Sequence, residues 1–146
     1  TMESCSGEDI PLLIDSSSRK KRVIRIICGV KQDIHCKPLF ASLGILTLPS
    51  MYVLACLLYV KVKINCFVPR TELHNYSTRS NFNLNLDKCK FTTTQNNFEY
   101  ASIKLFNVLP LNIRNLSFLT YRRRVISVLK CNPLYKVDEF YSLNLF

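Results

Sequence analysis

The sequence predicts a mainly α protein: a helical bundle, a long polar linker, and a C-terminal helical unit. Three observations carry this. Of 146 residues, 48% are hydrophobic and only 3 are glycine, a composition that suits a packed core and not a disordered tail. Apolar residues recur at helical spacing in several stretches, each bracketed by Ser, Thr, Gly or Pro where such residues start or stop helices. From 64 to 98 the composition turns to Asn, Thr and Ser, whose side chains compete for backbone hydrogen bonds and favour turns. A chain of this length has room for one core.

Residues 1–18, with "SCSGED" and "DSSS" around Ile10 to Ile14, read as a leader with at most one short strand. Ser18 is placed to cap a helix over Arg19 to Cys28, which Gly29 ends. On it Val23, Ile24, Ile27 and Val30 form an apolar stripe facing the core, and Lys21, Arg22 and Arg25 form a basic stripe facing away. Pro38 opens a short helix that stops at Gly44. Thr47 caps the next, with Pro49 in its first turn, and that helix runs to about Lys63. Its segment Met51 to Val60 is apolar all round, which predicts burial on every side or an encounter with lipid. A membrane span needs about 20 apolar residues; Pro49, Lys61 and Lys63 cut this run short, so no transmembrane span is expected.

The stretch from 64 to 98 reads as a linker, in which "FNLNL" at 82–86 alternates like a short strand. Helix resumes near Glu99 in "YASIKLFNVLP" and ends before Pro110. Ser117 caps a helix to about Cys131, with Phe118, Tyr121, Val125 and Leu129 on its buried side and Arg123, Arg124, Ser127 and Lys130 toward the other. "VDEFYSLNLF" adds a short amphipathic helix at the C-terminus.

Lys and Arg number 20 against 10 Asp and Glu, a formal charge of +10. That balance favours a polyanion, by default nucleic acid, with an anionic membrane surface as the rival. Seven cysteines lie at 5, 28, 36, 56, 66, 89 and 131 with no C-x-x-C pair. An odd, dispersed set fits free thiols in a reducing, intracellular compartment. No secretory signal is expected in the first residues, and the Arg19 to Arg22 run fits a nuclear signal as well as it fits helix-surface charge.

Several chemistries lack their residues. A two-metal nucleotidyl-transfer site needs clustered carboxylates, and only Glu8-Asp9 and Asp138-Glu139 are adjacent acids; the second pair suits a helix start. His35-Cys36 and Cys66 with His74 and Cys89 lack the tight pairs of a structural zinc site. A Cys/His nucleophile would need an orienting carboxylate and an oxyanion loop, and no phosphate-cradling G-x-x-x-x-G-K occurs. No catalytic residue, metal or cofactor is assigned. What remains is basic residues among aromatic and amide side chains, suited to phosphate and sugar contacts and to stacking. The candidates are Lys21, Arg22, Arg25, Arg79, Arg123, Arg124 and Lys130. If the first three are exposed, changing them together to Ala lowers the salt dependence of binding without unfolding the chain.

Longer patterns carry a resemblance. "RKKRVIRIICGV" followed by "CKPLFASLGILTLPSMYVL" resembles the segment just after the palm in reverse transcriptases of non-LTR, LINE-like retrotransposons of the jockey type. "HNYSTRSN", "IKLFNVLP" and "FLTYRRRVISVL" are similar to later blocks of that family and occur in the same order, so the likeness covers about residues 19–141. It departs from the family in residues 1–18, which match nothing in it, and in Phe106, where Trp or Tyr is commoner. The palm with its Tyr-x-Asp-Asp carboxylates, the fingers and the endonuclease are all missing.

The resemblance implies a thumb-like helical region at 19–63, a polar basic linker at 64–98, a C-terminal helical tail at 99–146, and an unmatched leader at 1–18. It implies that Lys21, Arg22 and Arg25 face a template-primer backbone, RNA or DNA, without sequence choice. His74, Thr78 and Arg79 match a recurrent block of the tail. The family is an RNA-directed DNA polymerase, but without a palm this chain is expected not to be an enzyme on its own; the missing palm would be a partner. A decayed element copy with no activity, prone to self-association, is an alternative, as is a non-enzymatic protein whose Met51 to Val60 helix meets a membrane or a partner.

Overall fold

The computed structural model describes residues 9–73, 82–86 and 97–143. Among them are eight α-helices, α1 (Asp9–Ile27), α2 (Cys36–Leu43), α3 (Leu48–Val62), α4 (Arg70–Leu73), α5 (Phe98–Val108), α6 (Leu111–Arg114), α7 (Phe118–Cys131) and α8 (Glu139–Ser142), with a 3-10 turn at Ile64–Cys66. No described residue belongs to a β-strand. The "FNLNL" strand reduces to one antiparallel bridge between Pro69 and Leu84.

The glycine stops fall where the sequence puts them. Gly29 and Gly44 both have φ 63°, a conformation open to glycine because it lacks a Cβ. At each, two backbone bonds close the helix end: Gly29 N–H to Ile26 O and Val30 N–H to Arg25 O, then Gly44 N–H to Ala41 O and Ile45 N–H to Phe40 O. Paired bonds of this kind satisfy carbonyls that the helix end would leave open.

Ser18 is not a cap. The chain is helical from Asp9, so half of the expected leader is helix and the short strand is not formed. Pro11 lies in the first turn, where its missing N–H leaves no helical bond unmade.

The central helix is α3, which packs against α5 and α7. Val53, Cys56, Leu57 and Val60 are fully buried and recur at i, i+3, i+4 and i+7, one face of a helix. Burial on every side of the segment is not observed, because Met51 and Tyr52 are exposed. Tyr121, Val125 and Leu129 of α7, Ile103, Leu105 and Phe106 of α5, and Phe140 of α8 complete this core. Phe118, expected inside, is exposed: α7 descends into the core only from its second turn, and Ser117 Oγ meets Thr120 Oγ1 at 2.9 Å instead of capping a backbone N–H.

The start of α3 is fastened by hydroxyls. Thr47 caps the helix through Ser50 N–H, its Oγ1 donates to Leu134 O, and Leu134 N–H donates to Ser50 Oγ at 3.1 Å. Thr47 and Ser50 are buried, and these bonds satisfy them inside the protein.

The stretch from 64 to 98 was expected as a linker, yet it contributes Leu84 to the main core. Asn107 holds Leu84 by both backbone groups, and Arg114 Nη1 and Nη2 reach Phe82 O and Asn83 Oδ1. Arg114 also donates to Leu109 O and Asn107 O at 2.6 Å each, and its guanidinium lies over the Phe106 ring. "LFNVLP" is therefore a packing corner: Phe106 and Leu109 are buried, Pro110 begins α6, and Arg114 from α6 closes the end of α5.

Candidate nucleic-acid interface

The basic stripe of α1 does not face away as a unit. Residues 21, 24, 25 and 28 lie at i, i+3, i+4 and i+7 and form the face toward the protein. Ile24 is buried in a small cluster with Cys36 and Phe40, against which Cys28 and Tyr135 pack. Lys21 and Arg25 flank Ile24 and are half-buried, while Arg22 is exposed. The apolar stripe is split in the same way, since Val23 and Ile27 point outward. The cause is that α1 packs on α2 through one ridge centred on Ile24, and the groups on either side of that ridge are basic.

Tyr135 gathers the inward cations. Lys21 Nζ lies 4.2 Å and Lys37 Nζ 5.0 Å from its ring centroid, distances at which the ring quadrupole attracts a cation. His35 stacks beside it at 5.9 Å and caps α2 by accepting from Lys37 N–H. Lys37 Nζ also pairs with Glu139 at 2.6 Å, and Arg25 Nε donates to Ile34 O at 3.0 Å. Burial raises the Tyr135 hydroxyl pKa, with Cys36 adding to the rise and Arg25 opposing it. Lys21 and Lys37 thus tie the α1–α2 pair to the 132–139 segment, while Arg25 braces the turn between the two helices.

Helix α7 presents its cations outward. Arg122, Arg123, Arg124 and Lys130 are all exposed, opposite the buried Tyr121, Val125 and Leu129. None makes an ion pair with a described residue; the pair found among those residues is Lys37–Glu139. Arg124 and Ser127 line a shallow cleft that meets a second one, lined by Lys37 and Ala41, at Cys131, Asn132 and Leu143. Lys130 reaches toward the α2–α3 turn, where its side chain comes within 3.9 Å of the place a Cβ at Gly44 would occupy.

Lys61 is a basic residue with an internal task. Its Nζ donates to Arg114 O and lies 5.3 Å from the Tyr121 ring centroid. Burial lowers its pKa and raises that of Tyr121, whose hydroxyl faces Leu57 O.

Arg79, with His74 and Thr78, lies outside the described residues. Cys28, Cys36, Cys56, Cys66 and Cys131 are free thiols. Among the described residues no group of three or more His, Cys, Asp or Glu side chains is placed to hold a metal ion. The residues that sequence reasoning passed over are Tyr135, Asn107 and Arg114. Tyr135 had a faint signal, an aromatic just after the helix-stopping Pro133 in "NPLYK"; nothing local marks Arg114 as a clamp among the neighbouring surface arginines.

Comparison with protein-family models, with curated protein sequences and with solved structures finds no match to this chain.

Proposed function

We propose that this protein is a helical unit that binds nucleic-acid backbones without sequence choice, resembling the thumb and C-terminal tail of a non-LTR retrotransposon reverse transcriptase and carrying no catalytic site of its own. The supporting observation is the outward row Arg122, Arg123, Arg124 and Lys130 on α7, exposed and without an ionic partner among the described residues. Such a row neutralises phosphates and releases condensed counterions, which gives affinity without base readout. The net charge of +10 adds long-range attraction. Of the α1 candidates, Arg22 alone joins this role directly, because Lys21 and Arg25 are turned inward.

The test is fluorescence anisotropy with a labelled duplex over a salt series. Affinity is expected to fall steeply with salt, and Arg122, Arg123 and Arg124 changed together to Ala should reduce the log–log slope by up to about three. A flat affinity across the series would overturn the proposal. Primer extension by the chain with template, magnesium and nucleotides would overturn its non-catalytic part.

A further inference from the structure

We propose that the outward face of α1 docks reversibly on an anionic membrane surface, with Val23, Ile26 and Ile27 entering the lipid and Arg22 held among the headgroups. The three aliphatic side chains are 52, 70 and 63% exposed. Their spacing of i, i+3 and i+4 places them together on one face, opposite the face that packs Ile24 into the protein. Single exposed aliphatics are ordinary. Three that adjoin on one helix form a patch of the kind that marks an interaction surface.

Charge selects the occupant. The patch lies on the outward side of a single helix, and a lipid surface accommodates such a side without a matching groove. Arg22 borders the patch one turn before Ile26 and is exposed, and the helix carries Arg19 and Lys20 one turn before the patch. From 18 to 30 there is no acidic residue. A second copy pairing through residues 19–27 would therefore oppose cation to cation, while anionic headgroups complement it. A helix with apolar residues bordered by Lys and Arg settles in the interface with its apolar side about 5–10 Å deep. Three aliphatic residues make that binding weak and reversible, and nothing in this inference depends on the nucleic-acid reading.

The experiment is co-sedimentation with vesicles of phosphatidylcholine mixed with phosphatidylserine, beside vesicles of phosphatidylcholine alone, with binding to an RNA duplex measured in parallel. The protein is expected to bind the mixed vesicles preferentially. Ile26→Gln with Ile27→Gln should lower vesicle affinity at least about tenfold, with helix content by circular dichroism and RNA affinity unchanged. Val23→Gln, which adds no charge, should weaken it in the same direction, and Arg22→Ala should weaken it by up to about fivefold. Absence of vesicle binding overturns the proposal. So does an unchanged vesicle affinity in the Gln double variant, which would make the attraction charge alone. A self-associated wild type that the double variant renders monomeric, without lipid binding, would assign the face to a second copy and overturn it as well.

Discussion

The carboxamide of Asn107 holds Leu84 by both of its backbone groups: Asn107 Oδ1 accepts from Leu84 N–H at 2.9 Å and Asn107 Nδ2 donates to Leu84 O at 3.0 Å. A side-chain amide presents one acceptor and two donors, so it imitates a neighbouring strand on the side of Leu84 away from the Pro69 bridge. This clamp keeps the buried Leu84 side chain in the core from a segment 23 residues away in sequence. Asn107→Ala should destabilise the protein by about 2–4 kcal/mol, because two backbone groups at a buried site lose their partners. Asn107→Asp should do no better, since it keeps the acceptor but sets a carboxylate oxygen against Leu84 O. Urea unfolding checks both, and a midpoint unchanged in Asn107→Ala would show the clamp to be dispensable.

Much of the helical framework was legible in the sequence because its stops are local. Gly29, Gly44, Thr47, Pro110 and Pro133 act through their own backbone chemistry, so the ends of α1, α2, α5 and α7 and the start of α3 could be read from residue type. The start of α1 could not. A run with Pro11 and three serines reads as irregular, although Pro in a first turn is tolerated and the rest of the helix carries it. Facing was harder still. Periodicity in 19–30 offers an apolar and a basic stripe, and the packing of Ile24 on Cys36 and Phe40, with Tyr135 over a hundred residues later, decides that Lys21 and Arg25 turn inward. The candidate interface followed the same rule: the outward cations of α7 were readable because α7 packs in its core through Tyr121, Val125 and Leu129, whereas those of α1 depend on a distant ring.

Thr47 joins three parts of the chain through one hydroxyl. It caps α3, meets Ser50 Oγ at 2.8 Å, and donates to Leu134 O. Thr47→Val keeps the shape and deletes the hydroxyl, leaving Ser50 N–H and Leu134 O unpaired in a buried site. The expected loss is about 1–3 kcal/mol, and Thr47→Ser should recover most of it. Thermal or urea denaturation of the two variants provides the comparison; a loss in Thr47→Ser with none in Thr47→Val would show that the methyl group, and not the hydroxyl, matters here.

Glu139 ties α8 to α2 through Lys37. Partial burial raises its carboxyl pKa, but the hydrogen bond and charge of Lys37 outweigh that and hold it below the usual value of 4.5. A lowered folded-state pKa means that the carboxylate contributes stability above the unfolded pKa, and that this contribution is lost as pH falls through the folded value. The side chains are 38 and 33% exposed, so solvent screening limits the pair to below about 1 kcal/mol. The urea midpoint of the wild type should therefore fall slightly more than that of Glu139→Gln between neutral pH and pH about 3. Parallel pH profiles of the two proteins would remove Glu139 from the account.

The inward turn of Lys21 and Arg25 changes what a charge-deletion series on α1 should report. Lys21→Ala removes a cation 4.2 Å from the Tyr135 ring centroid together with the packing of its stem, worth about 0.5–1 kcal/mol for the ring contact alone. Arg25→Ala removes the bond to Ile34 O, which braces the turn between α1 and α2. The exposed Arg22 has no such task, and Arg22→Ala should stay within about 0.5 kcal/mol of the wild type. In urea unfolding the double variant Lys21→Ala with Arg25→Ala should lose about 1–2 kcal/mol, while in salt titrations of nucleic-acid binding Arg22→Ala alone should shift the slope by about one. If the double variant keeps full stability and accounts for the greater part of the salt slope, Lys21 and Arg25 face the ligand and not Tyr135.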